Sequence, residues 1–219
     1  MDLFGQKFAA VLFDMDGTLI SSIGSVNRSW KRLAEEYGSS MEFMGAFHGV
    51  PAKQLVERLL PDRSAGEKAE ALDRIIELET TDVEGIEILP GAEVALTELG
   101  AANRCAIVTS CSAGLADARL GATKLPVPNV LVTADDVKIG KPNPAPYLLA
   151  AEKMGIDPSA CLVVEDAPAG CEAGHAAGMK VLAVEVTHSA DELPADIIVP
   201  DLSAVRFAVS NEGISLLKA

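Results

Sequence analysis

The sequence predicts an α/β fold, a doubly wound domain built on a parallel sheet, and three observations carry that prediction. Six short runs, "AAVLFD", "CAIVTS", "NVLVTA", "CLVVED", "KVLAVEV" and "DIIVP", are rich in Val, Ile and Leu and lack polar alternation. Strands covered on both faces read this way. Helical patterns separate most of them: "GAEVALTELGA", "SAGLADARLGA", "PAPYLLAAEKMG" and "PAGCEAGHAAG", each ending at or near a glycine, a common helix stop. Strand alternating with helix is the signature of a Rossmann-like, doubly wound core. The third observation is an interruption: from about Ser21 to Leu89 no convincing strand occurs.

The elements follow in order. The first strand, Ala9 to Phe13, ends abruptly in Asp14 and Asp16, with Gly17 and Thr18 close behind. "SSIGSVNRSWKRLAEEYG" opens with serines suited to N-capping and spaces Val26, Trp30, Leu33 and Ala34 as one helical face. "PAKQLVERLLP" is a short helix bounded by prolines, and "SAGEKAEALDRIIELETTDV" is a longer amphipathic one. "ILPGAEVAL" restarts the α/β pattern. The expected division is a Rossmann-like core over 1–20 and 88–219 and a helical bundle over 21–87. An insert placed directly above the two acids reads as a lid rather than a second core. There is no internal repeat or low-complexity segment.

Composition limits the function. A chain of 219 residues buries roughly 70–75% of its unfolded surface and needs no staples. The four cysteines, Cys105, Cys111, Cys161 and Cys171, form no CxxC pair and read as small buried residues in a reducing compartment. No apolar run approaches the ~18 residues of a membrane span. "MDLFGQKF" lacks the basic-then-apolar pattern of a signal peptide, so a cytoplasmic protein is expected. A formal net charge of −14 disfavours nucleic acid and anionic membrane, which bind through Lys and Arg. The same charge would repel an anionic substrate unless a metal or well-placed lysines offset it locally.

In open α/β sheets, ligands bind outside the carboxyl ends of the strands. There stand Asp14 and Asp16, then Thr109 and Ser110, then Glu165 and Asp166, with the lysine loop "KIGKPNPAPY" carrying Lys141 between them. Asp14 can act as a nucleophile that forms an acyl phosphate. Asp16, just past the strand end, can protonate a leaving oxygen and then deprotonate water. Close carboxylates repel unless a cation intervenes, and Mg²⁺ suits a site of carboxylates, phosphate and water. Asp14, Asp16, Glu165 and Asp166 are the candidate ligands. Ser110 can hydrogen-bond a phosphoryl oxygen, Lys141 can neutralise accumulated charge, and backbone N–H groups at Gly17 and Thr18 can face the phosphate. Each signal alone is ordinary: a solvated loop, a helix start, a cap, a surface lysine. Their force lies in occurring together, in order, on one side of the sheet.

"DMDGT", "VTS", "GKPNPAPY" and "VVEDAPAG" resemble the four signature motifs of the haloacid-dehalogenase-like hydrolase superfamily, and the insert resembles its helical cap. "HGVPAKQLVERLLP", "LPGA" and "VTADDVKIGKPNPAPYLLAAEKMGI" look most like its sugar-phosphate and polyol-phosphate phosphatases, of the kinds acting on hexose, hexitol, 2-deoxyglucose or glycerol phosphates. The resemblance implies Asp14 as nucleophile, Asp16 as acid/base, and Ser110 and Lys141 on phosphate. It places Mg²⁺ on Asp14, the backbone carbonyl of Asp16, and Asp166. Two departures stand out. Ser21-Ser22 replaces the acid followed by Ser or Thr of many relatives, and Cys111 stands where small residues are common. At Cys111 only the backbone N–H is expected to serve, although the thiol invites oxidation.

His48 and Lys53, flanking the turn "HGVPAK", are candidates for contacting substrate from the insert. Trp30 reads as packing for the insert, His175 as a helix residue and His188 as a loop residue. The resemblance leaves a β-phosphoglucomutase-like mutase open, differing in whether sugar or water accepts the phosphoryl group. A dehalogenase fits less well, since a leaving halide has no need of Asp16. A receiver-like signalling domain would carry its acids on different strands, and a non-catalytic binding protein would be expected to have lost an acid. The expected partner is a small phosphate monoester, met by a monomer or weak dimer.

Overall fold

The computed structural model describes residues 3–43 and 50–219. In chain order the elements are β1 (Lys7–Phe8), β2 (Ala10–Phe13), β3 (Ile20–Ser21), α1 (Ile23–Tyr37), α2 (Ala52–Leu59), α3 (Ala65–Thr81), β4 (Glu87–Ile88), α4 (Ala92–Ala101), β5 (Cys105–Val108) and α5 (Ala113–Thr123). Then follow β6 (Val130–Val132), α6 (Ala145–Met154), β7 (Cys161–Glu165), α7 (Pro168–Ala176), β8 (Lys180–Val184), β9 (Ile197–Val199), β10 (Val205–Ser210) and β11 (Gly213–Lys218). The six apolar runs are all strands of one parallel sheet, ordered β6-β5-β2-β7-β8-β9. No helix among the described residues is long and apolar enough to cross a membrane.

The absence of polar alternation has a direct cause. Successive side chains of a strand point to opposite faces, and here both faces are buried. Val11 and Phe13 of β2 pack with Ile107, Leu162, Val164 and Leu182 against Leu96 and Leu99 of α4 and Leu120 of α5. Ala10 and Leu12 join Ala106, Val108, Val163 and Val181 against Tyr147 and Ala150 of α6 and Ala173 of α7. At roughly 25 cal/mol per Å² of apolar surface removed from water, this double burial is the main force assembling the core.

Between β3 and β4 lie α1, α2 and α3, the expected helical insert. It is more than a lid, because it carries a hydrophobic core of its own. Trp30, Leu33 and Ala34 meet Leu55, Val56 and Leu59, and Ala71, Ile75 and Leu78 complete the cluster. α3 starts at a capping box, in which the Ser64 hydroxyl accepts from the Glu67 N–H and the Glu67 carboxylate accepts from the Ser64 N–H. α1 stops at Gly38 in the left-handed region, φ +63°, which glycine adopts without steric cost. α5 differs from expectation: it runs through Gly121 and stops with Lys124 in the left-handed region.

Two features escaped the sequence reading. The insert is bounded by an antiparallel pair, Ile20 opposite Ile88 and Ser21 opposite Glu87. Two residues per strand are too few to show a period. The chain also ends in a hairpin, β10 against β11, whose sheet is completed by β1 in the order β1-β11-β10. Its Phe207, Ile214 and Leu216 join the core beside β2, and the Phe207 ring meets Phe13 edge-on at 5.8 Å.

Candidate active site

The carboxyl ends of β2, β5 and β7 lie side by side, because β2 pairs with β5 on one flank and β7 on the other. Asp14 continues the ladder past the end of β2, its N–H donating to the Val164 carbonyl at 2.9 Å. Its carboxylate is buried. Lys141 arrives from the loop before α6 and is saturated: Nζ donates to Asp14 Oδ1 at 2.6 Å, Glu165 Oε1 at 2.6 Å and the Val108 carbonyl at 2.9 Å. An ammonium has three donors, and all three are spent. Burial works against the charge on Lys141, but Asp14 and Glu165 outweigh it and hold the group protonated well above its ordinary range.

Glu165 is equally occupied. Oε1 also accepts from the Tyr147 hydroxyl at 2.7 Å, and Oε2 from the N–H groups of Asp166 and Ala167 at 3.1 and 3.3 Å. Its room comes from Gly170, where a Cβ would stand 1.8 Å from Glu165 Oε1. Asp166 meets the Thr18 hydroxyl at 3.4 Å through Oδ1, and the Thr187 hydroxyl lies against its Oδ2. Gly17 is fixed twice over. Its φ is +91°, and a Cβ there would meet Asp166 Oδ2 at 2.0 Å. His188 is a loop residue, as expected, and its ring places Nδ1 3.2 Å from the Asp166 carbonyl.

Carboxylate oxygens of Asp14, Glu165 and Asp166 come within 4.8 Å of one another. Burial, then the charges of Glu165 and Asp166 acting against Lys141, pushes the Asp14 carboxyl well up. Burial and the Glu165 charge push Asp166 up to about 7 despite its Thr187 hydrogen bond. Three buried acids facing one lysine are short of positive charge, and their hard oxygen donors fit a divalent cation.

Asp16 does not join them. Its side chain turns to a second group, where Arg119 Nη1 stands 2.9 Å from Oδ1 and the Cys111 thiol donates to Oδ2 at 3.2 Å. Cys111 is therefore engaged through its side chain as well, contrary to the expectation that only its backbone would serve. Its N–H is taken by the Thr109 hydroxyl at 3.1 Å. Burial, and then the Asp16 charge, raises the thiol's pKa well above the ordinary value, so the group stays a thiol. Ser110 is exposed at the turn between Thr109 and Cys111, just before the N-terminal end of α5. Lys53 is exposed on α2 and belongs to neither group among the described residues. His48 lies outside the described residues.

The sequence reading missed Tyr147, Thr187, Arg119 and Glu79. Arg119 had a signal: it shares the apolar phase of α5 with Leu115, Ala116 and Leu120, all buried. An arginine there must find a partner inside the protein.

The profile of the haloacid dehalogenase-like hydrolases matches residues 11–184. Hexitol phosphatase A of Escherichia coli is 41% identical over 205 residues, spanning 92% of this chain and 95% of its own length. Glycerol-1-phosphate phosphohydrolase 1 of Saccharomyces cerevisiae is 33% identical over 219 residues, 94% of this chain and 87% of its own. Among solved structures, a haloacid-dehalogenase hydrolase of family IA, variant 3, from Entamoeba histolytica superposes with a TM-score of 0.80 at 24% identity, covering 90% of this chain and 95% of that one. With its six-stranded parallel sheet, the helical insert after the first sheet strand and the acidic cluster at the strand ends, the chain belongs to the haloacid dehalogenase-like hydrolase family.

Proposed function

We propose that the chain is a Mg²⁺-dependent phosphatase of small sugar or polyol phosphate monoesters, working through an aspartyl phosphate on Asp14. One observation carries this reading: the two carboxylates of "DMD" are separated, Asp14 on Lys141 within the acidic cluster and Asp16 outside it. A nucleophile and a proton donor two residues apart need such different surroundings to do different work.

Asp14 Oδ attacks phosphorus as the bond to the leaving oxygen breaks, and Asp16 gives that oxygen a proton. Water then gives a proton to Asp16 and attacks the phosphoryl group, releasing phosphate and the free Asp14 carboxylate. Lys141 sits on the nucleophile and balances charge. Glu165, with all its contacts spent on Lys141, Tyr147 and two N–H groups, serves as the anchor of Lys141. Asp14 and Asp166 would then hold the cation, with the backbone carbonyl of Asp16. The bound cation supplies charge neutralisation of the acids and of the phosphoryl oxygens. Ser110, exposed just past the end of β5, is the residue proposed to receive the phosphate on that side.

The substrate class rests on relatives that share both core and insert, a hexitol phosphatase and a glycerol-1-phosphate phosphohydrolase. The test is phosphate release from a panel of hexose, hexitol and glycerol phosphates, with and without Mg²⁺, alongside a search for isomerised sugar phosphate. Isomerisation without phosphate release would replace the phosphatase by a mutase. Turnover undiminished after metal removal would overturn the proposal.

A further inference from the structure

One buried cation remains outside the chemistry above. Arg119 is on α5, its side chain 4% exposed. Nη1 contacts Asp16 Oδ1 at 2.9 Å and the Cys111 sulfur at 3.2 Å, while Nη2 reaches Glu79 Oε2 at 2.9 Å. Glu79 belongs to α3, in the insert, and its other oxygen accepts from the Trp30 indole N–H of α1 at 2.9 Å. A chain of contacts therefore runs from the core of the insert, through the Glu79 carboxylate and the buried Arg119 guanidinium, to the proposed acid/base. Elsewhere among the described residues the insert keeps its charged pairs to itself and at least partly exposed: Arg28 with Asp82, Arg63 with Glu67, Arg74 with Glu36. Among the described residues, Arg119 with Glu79 is a largely buried pair that crosses to the core.

A pair this buried is a poor device for stability, because taking both charges out of water is costly. Its geometry suits another purpose. A guanidinium is planar and keeps its charge, so two of its nitrogens can hold two carboxylates at a fixed spacing. With the Cys111 thiol on Oδ2 and Arg119 on Oδ1, the plane of the Asp16 carboxyl is set from two sides.

We infer that Arg119 is a positioning residue that orients Asp16 for proton transfer and ties that orientation, through Glu79, to the seating of the helical insert on the core. This rests on the reading of Asp16 as acid/base. Arg119 itself transfers no proton. The proton given to the leaving oxygen is that of Asp16, and Arg119 decides where that carboxyl points.

Proton donation matters for a poor leaving group and little for a good one, and a purely structural role would not follow this distinction. The experiment compares kcat/KM for phenyl phosphate and 4-nitrophenyl phosphate, similar in shape and different in leaving group, with Mg²⁺ present. kcat/KM covers the steps through phosphoryl transfer to Asp14. Arg119→Met keeps the stem and removes the fork. It should lower kcat/KM for phenyl phosphate by about 10- to 100-fold, part of the ~10²–10⁴ that acid catalysis supplies, and lower the 4-nitrophenyl ester at least about tenfold less. Arg119→Lys should recover part of the loss. Glu79→Gln, which keeps the shape and removes the charge on the insert side, should show the same selectivity on a smaller scale. It decides alone if Arg119→Met does not fold. Equal losses on both esters, or no loss, overturn the assignment of Arg119 and leave the phosphatase standing. Wild-type protein inert toward both esters and toward the hexose, hexitol and glycerol phosphates of the panel overturns the phosphatase and this inference together.

Discussion

Asp14 and Asp16 share a side chain and nearly share a position, yet they belong to different parts of the molecule. Among the described residues the partners of Asp14 come from the core: Lys141 before α6, the Val164 carbonyl of β7, and through Lys141 the Glu165 carboxylate. Asp16 touches Arg119 and Cys111, and its next neighbour along that path, Glu79, is in the insert. The difference teaches a division of labour. The proposed nucleophile is held at the end of a strand inside the parallel sheet. The proposed acid/base is held where the insert can influence it. On this reading the surroundings of each carboxylate, and not its position in the chain, separate the two roles.

The comparison breaks most sharply at the nucleophile. Asp14→Asn preserves shape and removes nucleophilic power, so turnover should fall by at least about 10³ with an unchanged circular dichroism spectrum and melting curve. Near-normal turnover would show that the core-held carboxylate does not form the covalent bond. Next comes the metal. Chelation by EDTA should abolish activity and Mg²⁺ restore it. Ca²⁺, with longer bonds and more ligands, should leave turnover about 10²-fold lower or worse, since displacements near 1 Å cost that much. Full turnover with Ca²⁺ would contradict a site tuned around Asp14.

A smaller effect probes the insert's side. If His48 and Lys53 read the substrate, His48→Ala and Lys53→Ala should lower kcat/KM for the best sugar or polyol phosphate by roughly 10- to 100-fold, from ~1–3 kcal/mol of lost hydrogen bonding. Hydrolysis of a small aryl phosphate should change far less, while Lys141→Ala should impair both alike. Equal losses in the insert variants would mean that the turn supports closure and reads nothing. The smallest effect lies away from the site. Asp196 is bonded to Lys180, the Val181 N–H and His175, and these contacts outweigh burial to bring its carboxyl down to about 2. The folded pKa lies below the unfolded value of about 3.9, so this stabilisation is present above about pH 4 and fades as the pH drops toward 2. Asp196→Asn should therefore flatten the acid limb of thermal stability by about 1 kcal/mol after solvent screening, with activity at neutral pH unchanged. Loss of activity there would tie the far end of the sheet to the site.

The six sheet strands and the positions of Asp14, Lys141, Glu165 and Asp166 were legible because a parallel sheet announces itself twice, by apolar runs and by what stands at their ends. Thr187 and Tyr147 were not legible as site residues, since their partners Asp166 and Glu165 are 21 and 18 positions away. Arg119 and Glu79 lie 40 apart and meet only when α3 packs on α5. Their individual periodicities hint at burial without saying against what. The terminal hairpin had a usable signal, two strand-like runs around "SNEG", obscured by the stronger helix–strand rhythm before it. The separation of Asp16 from Asp14 had none. Extended-strand geometry puts the two on one face, and it is the turn after β2, with the Gly17 N–H donating to the Ile20 carbonyl at 2.7 Å, that carries the chain off in another direction.

The antiparallel pair at the root of the insert has a consequence for modularity. Ser21 stands opposite Glu87, so the chain leaves the core and returns to it at adjacent points, as it would across an ordinary hairpin. The pair holds the two ends of the insert together, and the entropic penalty of a long excursion grows only slowly with its length. Since the insert also brings its own apolar interior, much of its content can vary without disturbing the sheet, the Glu79 contact with Arg119 being the exception. Such a junction lets one scaffold exchange its upper half, or grow it, while the strand ends beneath keep their spacing. A chimera that joins another helical insert between Ser21 and Glu87 and keeps a carboxylate in the place of Glu79 would change the insert without redrawing the sheet.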